Sequence, residues 1–295
     1  MKKVLKIQLL TILVGLNFIS CKQSTQAQNN NPNRNLSEQF KAYWYQGNAE
    51  ISTYELSENR YGELRNGKAT LIYVTEDFVA DKQVKADYQN PNNKPVLKLN
   101  SVKKFITGVY PYSIMQSSFI PLQEEGHALK ISSSIQEWCG QTFIQLNNKD
   151  DFEINSFSYF ESEGDTKTTL PKAFTENEIW NLIRVNGLSD LPSDEVNMIP
   201  SFEFLKLNHV PLKAYKATIN SSTNNGIINY TINYPELNRK LSINFEQKFP
   251  FIIKSWSDQI GNKQPSTAKL ITTKKLPYWG LKSLKHETIR NELGL

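Results

Sequence analysis

Apolar and polar residues alternate along most of this chain, in short runs parted by turn dipeptides. Lys68–Glu76 (KATLIYVTE) has the period of two that marks a strand, and Asn66-Gly67 before it predicts a tight hairpin turn. The same pattern predicts strands at Glu50–Ser57, Val96–Thr107, Tyr112–Leu122, His127–Gln136, Gln141–Asn147 and Phe152–Glu161. A second series follows at Ala214–Asn220, Gly226–Tyr234, Lys240–Gln247 and Phe251–Ser257, with turns at Asn225-Gly226 and Pro235-Glu236 and a further strand at Ala268–Lys275. Strands joined by short loops imply an antiparallel meander, because parallel neighbours need long crossovers.

Helical periodicity is rare. Thr175-Glu-Asn-Glu178 reads as a capping box, in which Thr175 caps the first amides and Glu178 reaches back. Ile179, Trp180, Leu182 and Ile183 supply an apolar face, and Asn186-Gly187 stops the helix. Ser37–Gln46 predicts a second helix and Leu284–Leu293 a short terminal one. The fold class expected is mainly β: an antiparallel curved sheet or open barrel with a few short helices. Residues 36–295 form the β-rich domain, and the polar, Pro-containing stretch Asn186–Pro200 is its best internal boundary, which either separates two sheet halves or is a long loop in one continuous sheet.

The N-terminus departs from this pattern. Lys2, Lys3 and Lys6 precede a mostly apolar run from Ile7 to Ile19, 13 residues long where a bilayer-spanning helix needs roughly 20. That length fits the core of a signal peptide over residues 1–20. Phe18-Ile19-Ser20-Cys21 resembles the lipobox of bacterial lipoproteins, with Phe in place of the usual Leu. The resemblance implies diacylglyceration of Cys21 and cleavage before it, so that lipid, palmitate among it, anchors the mature protein to a membrane. The bland alternative is an ordinary cleaved signal with an incidental cysteine. Residues 21–35 are then a lipidated polar tether, too poor in apolar residues to fold. Its flexible chain reaches on the order of 20 Å. Lys22, where retained lipoproteins carry Asp, points to the outer membrane of the cell envelope, facing the periplasm.

Composition then narrows the candidate chemistry. The formal charge of +5 shrinks once the three signal lysines go, leaving 31 basic against 29 acidic residues and no basic block. Nucleic acid is therefore not an expected partner. Cys139 is the one cysteine beyond Cys21, so no internal disulfide is available. It lies in Glu137-Trp138-Cys139-Gly140, where the inward phase shifts from odd to even positions and a bulge or tight bend is expected. The favoured reading is a half-buried cysteine beside a core tryptophan, and the sharper one a hydrolase nucleophile. His127, His209 and His286 have no metal-ligand spacing, and Glu161-Ser-Glu163-Gly-Asp165 reads as a solvated acidic turn. No cofactor is implied. Aromatic clusters at Tyr43-Trp44-Tyr45, Tyr110-Pro-Tyr112, Phe157/Tyr159/Phe160, Phe249/Phe251/Trp256 and Tyr278-Trp279 serve a core, or line an apolar groove in a concave sheet.

The runs YWYQGNAEISTYEL, RYGELRNGKATLIYVTEDF, VKKFITGVYPYSIMQSSF, IQEWCGQTFIQLN and FSYFESEGD resemble a family of uncharacterised lipoproteins from Bacteroidota-type bacteria. Some of its members carry the label "septum formation inhibitor Maf". The Maf pyrophosphatases are shorter cytoplasmic α/β proteins with a Ser-x-Arg-Arg motif, and this sequence has no Arg-Arg pair. The resemblance thus implies an address and no activity. The function expected is an envelope lipoprotein that binds an apolar ligand or lipid in a concave sheet. The alternatives are a scaffold lipoprotein docking an envelope protein, and a hydrolase using Cys139.

Overall fold

The computed structural model describes residues 33–295. Cys21, the signal segment and nearly all of the tether lie outside them. The described chain is mainly β, built from one large, mostly antiparallel curved sheet that does not close. Its strands are β1 (Ala49–Arg60), β2 (Glu63–Val79), β3 (Val84–Lys85), β4 (Lys94–Thr107), β5 (Tyr110–Pro121), β6 (Lys130–Glu137), β7 (Gly140–Asn148) and β8 (Phe152–Ser158). They continue with β9 (Thr166–Leu170), β10 (Phe174–Thr175), β11 (Glu195–Ile199), β12 (Tyr215–Asn224), β13 (Ile227–Tyr234), β14 (Arg239–Glu246), β15 (Ile253–Ile260) and β16 (Ser266–Leu276). Two meanders meet where β1 pairs with β16, one running from β1 out to β9 and the other back from β16 to β10. Only β10 and β11 pair in parallel, and no ladder joins β9 to β10.

One expectation for the loops differs from the structure. Asn66-Gly67 lies inside β2, paired with Leu56 and Ser57, and the hairpin turns instead at Tyr61-Gly62. Both turn residues have positive φ, 58° and 82°, the backbone twist that suits a two-residue hairpin. Gly67 serves a different need, because a Cβ there would collide with the Lys104 carbonyl on β4. The stretch Asn186–Pro200 holds β11, which pairs with both β10 and β12, so the sheet runs through it.

Among the described residues four α-helices accompany the sheet: α1 (Glu38–Trp44), α2 (Glu176–Asn186), α3 (Phe202–Leu207) and α4 (Ile289–Glu292). The capping box at α2 forms as expected, with the Thr175 hydroxyl accepting from the Glu178 amide and the Glu178 carboxylate accepting from the Thr175 amide. What the pattern did not predict is that α2 is buried on nearly every side. Its partners lie on both meanders: Glu50 on β1, the Tyr73 hydroxyl on β2, Leu97 and Ser118 on β4 and β5, and Arg239 and Trp256 on β14 and β15. The sheet therefore wraps around this helix. Ile179, Leu182, Ile183 and Val185 are buried in the core, each contributing on the order of 1.5–3 kcal/mol.

A buried helix must also satisfy its polar side chains. Arg184 donates to both oxygens of Glu50, at 2.5 and 2.7 Å, and its Nε donates to the Pro250 carbonyl. Its guanidinium lies 4.8 Å from the Tyr73 ring centroid and 5.2 Å from that of Trp44. Asn181 donates to the Leu97 carbonyl and accepts from Ser118. Burial alone would push the Glu50 carboxyl up, but the charge and hydrogen bonds of Arg184 outweigh it and hold the group below the usual carboxylate range.

Removing one member of such a pair strands the other. Arg184→Met is expected to lose about 3–5 kcal/mol in chemical denaturation, and Arg184→Met with Glu50→Gln to lose less. Equal losses in the single and double variants would assign the effect to packing and not to charge. Because the folded Glu50 value is lowered, the pair's stabilisation is present above the unfolded value of 4.5 and is lost as pH falls through the folded one. A denaturation series from pH 7 to pH 3 measures that loss, which the double variant should not show.

Candidate functional site

Beyond the N-terminal end of α2 the interior is not filled, and a cavity of about 320 Å³ remains. It lies between β1, β2, β4, β5, β14, β15 and β16, with α2 and α3 against it. In-facing apolar side chains form part of its wall: Leu71, Leu99, Leu241, Ile260, Phe204 and the edge-to-face pair Trp180 and Trp256, whose centroids are 5.2 Å apart. It reaches the surface between the β1–β2 turn (Tyr61, Gly62), the β15–β16 turn (Lys263, Gln264) and Asn208 at the end of α3.

Deep in the cavity two cations each sit between two carboxylates. Lys103 on β4 donates to Glu203 on α3 at 2.8 Å and to Glu58 on β1 at 3.4 Å. Arg239 on β14 donates to both oxygens of Glu176, at 2.5 and 2.9 Å, and to both of Asp258, each at 2.8 Å. Its guanidinium also lies 4.0 Å from the Phe204 centroid. Ser266 donates to Glu58, Tyr234 to Glu176, and Gln116 to Glu203. Burial, with the charges of Glu203 and Asp258, pushes the Glu58 carboxyl above its usual range despite Lys103 and Ser266. Burial would lower Lys103 and Arg239, but the surrounding carboxylates overcome it and keep both fully charged.

The mouth has the opposite sign. Arg60 donates to the Leu207 carbonyl at 2.8 Å and to the Tyr112 hydroxyl, and it lies 4.4 Å from the Tyr61 ring centroid. Neither Arg60 nor Lys263 forms a carboxylate ion pair among the described residues. Three buried carboxylates, the partly exposed Asp258 and their two cations therefore give way to two unpaired cations at the opening.

The residues singled out from sequence fall mostly elsewhere. Cys139 and Trp138 form the two-residue turn between β6 and β7, where Glu137 pairs with Gly140. A tight turn, not a bulge, accounts for the shift of phase there. Contrary to the half-buried reading, Cys139 is exposed and Trp138 is 71% exposed. The thiol is pushed above its usual range by its hydrogen bond with Glu137, the opposite of an activated nucleophile. His127 pairs with Glu178 at 2.9 Å, His209 with Glu163 at 2.8 Å, and His286 contacts Ser283. Among the described residues no group of three or more His, Cys, Asp or Glu is arranged to hold a metal ion. Glu163, expected in a solvated turn, is half-buried and accepts from Lys206 as well as His209.

The cavity residues were missed, although they carry a sequence signal. Glu58 is in phase with the inward Tyr54 and Leu56, Lys103 with Leu97 and Leu99, and Arg239 with Leu241 and Ile243. A charge in the apolar phase of a strand points into the core, where it needs a partner or a cavity. Glu176 and Asn177 are buried in the first turn of α2, a place where polar residues ordinarily read as caps.

No family model matches this sequence, and no curated protein matches it. Among solved structures, it is similar to a β-barrel-like protein of a domain of unknown function, DUF1849, from Brucella abortus. The two share 8% identity with a TM-score of 0.49, over 77% of this chain and 98% of the other.

The contact between His127 and the first turn of α2 gives a prediction. Burial would lower this imidazole, but Glu178 outweighs burial and raises it above its usual 6.5. The contribution of the pair is full below that value and lost as pH rises through the folded one. The stability difference between wild type and His127→Phe, by urea denaturation, should therefore shrink from pH 5.5 to pH 9. A difference that does not change with pH would count against the ion pair.

Proposed function

We propose that this protein is a lipid-anchored binding protein of the cell envelope, whose curved sheet takes a small amphipathic ligand into the cavity beside α2. The cavity is the observation that carries this reading. It is of the size that small-molecule sites usually have, it opens at one end, and its wall mixes tryptophan and leucine with placed polar groups. The apolar ligand suggested by the aromatic content is thereby replaced by one with an apolar body and charged ends. The anchor rests on the lipobox at Phe18–Cys21 and the polar segment after it.

The described chain enters the sheet at Asn33, bridged to Glu124 in the loop between β5 and β6. That loop lies at the opposite end of β5 from the β4–β5 turn, and so away from the hairpin tips that flank the mouth. A second reading, docking of an envelope protein, is favoured by the exposed apolar tips at Val109, Trp138 and Tyr159, which are 80%, 71% and 78% exposed.

Two measurements test the anchor and the cavity separately. Labelled palmitate should enter the wild-type protein and not Cys21→Ser; equal labelling, or none, overturns the anchor. Protein purified natively from its producing cells should release a small molecule on denaturation, and Ser101→Phe, which fills the cavity, should release at least tenfold less. Identical extracts from the two proteins, with a co-purifying protein lost on Trp138→Ala, would favour docking.

A further inference from the structure

The geometry points to a zwitterionic ligand, a protonated amine held among the inner carboxylates with an acidic group left at the mouth on Arg60 and Lys263. This deepens the binding reading above and rests on it. The charges are sorted along the cavity: Glu58, Glu176, Glu203 and Asp258 face only Lys103 and Arg239 inside, while Arg60 and Lys263 meet no carboxylate at the opening. A cavity lined by four carboxyl side chains and only two cations focuses a field that attracts a further cation. An ammonium group donates several hydrogen bonds, and the Glu58 and Glu203 oxygens retain accepting capacity beyond the bonds they take from Lys103, Ser266 and Gln116.

The wall between the two charged zones fits the body of such a molecule. Trp180 and Trp256 present ring surface, which favours cations and apolar chains alike, with Leu99 and Leu241 in the same wall. Arg60 is held in place before any ligand arrives, by the Leu207 carbonyl, the Tyr112 hydroxyl and the Tyr61 ring. A guanidinium so fixed loses little freedom when it takes a carboxylate or phosphate. The span follows from the strand. Glu58 and Arg60 are two residues apart on one face of β1, which places their backbones about 7 Å apart. The molecule therefore enters amine first, with its two charges separated by a short apolar chain.

Isothermal titration of the full-length protein with 6-aminohexanoate, hexylamine and hexanoate tests this, with tryptophan fluorescence as a second readout. The zwitterion should bind at least tenfold more tightly than either analogue with one charge. Arg60→Gln should reduce 6-aminohexanoate to the affinity of hexylamine, and Glu203→Gln should weaken both amines about tenfold while leaving hexanoate unchanged. Should Glu203→Gln not fold, Arg60→Gln at the half-buried mouth keeps the test open. Hexanoate binding as tightly as 6-aminohexanoate, or Arg60→Gln leaving the zwitterion unaffected, would overturn the inference. A native occupant that disappears on Ser101→Phe but carries no cationic nitrogen overturns the zwitterion and leaves the binding reading standing. No occupant and no response to any probe overturns both.

Discussion

Arg184 and Glu50 form the contact on which the arrangement of this molecule depends. The arginine belongs to the longest helix among the described residues and the carboxylate to the strand where two meanders meet, so the pair fixes the helix against the middle of the sheet. Both groups are almost fully buried, and neither can be left alone there without a cost of several kcal/mol. Tyr73 and Trp44 close over the guanidinium, and Tyr43 donates to the same carboxylate. At the other end of the helix Arg239 holds Glu176, so α2 is pinned by an ion pair at each end. Its position is thus set by charge as well as by apolar burial.

The cavity follows from a mismatch of lengths. Eleven residues of helix extend about 16 Å, whereas the twelve residues of β1 extend about 40 Å. A single helix cannot fill such a sheet from end to end. The six-residue α3 covers part of the remainder and contributes Glu203 and Phe204 to the wall. What is left is lined by strand positions that ordinarily carry core residues, and here several carry charge. Those side chains are expensive to bury, and each is matched to a partner on a different strand or helix, so the lining doubles as a set of cross-links.

Much of the fold was legible because strand alternation survives tertiary packing. Most strands appear near their expected positions, as does the Thr175 helix, whose cap is a local device independent of its surroundings. The failures have physical reasons. Asn66-Gly67 is a good turn dipeptide, but the pairing of β1 continues past it and a close approach of β4 claims the glycine. Strands β9, β10 and β11 are short and lie at or beside the free edges, where few inward apolar residues are needed. For the site, alternation exposes the inward charges of Glu58, Lys103 and Arg239 one strand at a time. Their convergence is tertiary, since Glu58 and Glu203 meet the same lysine across more than a hundred residues of sequence. Trp138 and Cys139 misled because aromatic content suggests a core, while a two-residue turn places both at its tip.

The pairing of β1 with β16 also governs the order in which the molecule can be assembled. The strand that opens the sheet in sequence is completed by the strand that closes it, and Glu50 on the first waits for Arg184 near the middle. A chain emerging from its N-terminus can zip β1 to β9 as successive hairpins, yet one side of β1 stays an open edge until the final strand arrives. Such long-range closure makes folding slow and leaves hydrogen-bonding edges exposed meanwhile. A truncation that removes β16 would therefore act at the centre of the sheet and not at its margin.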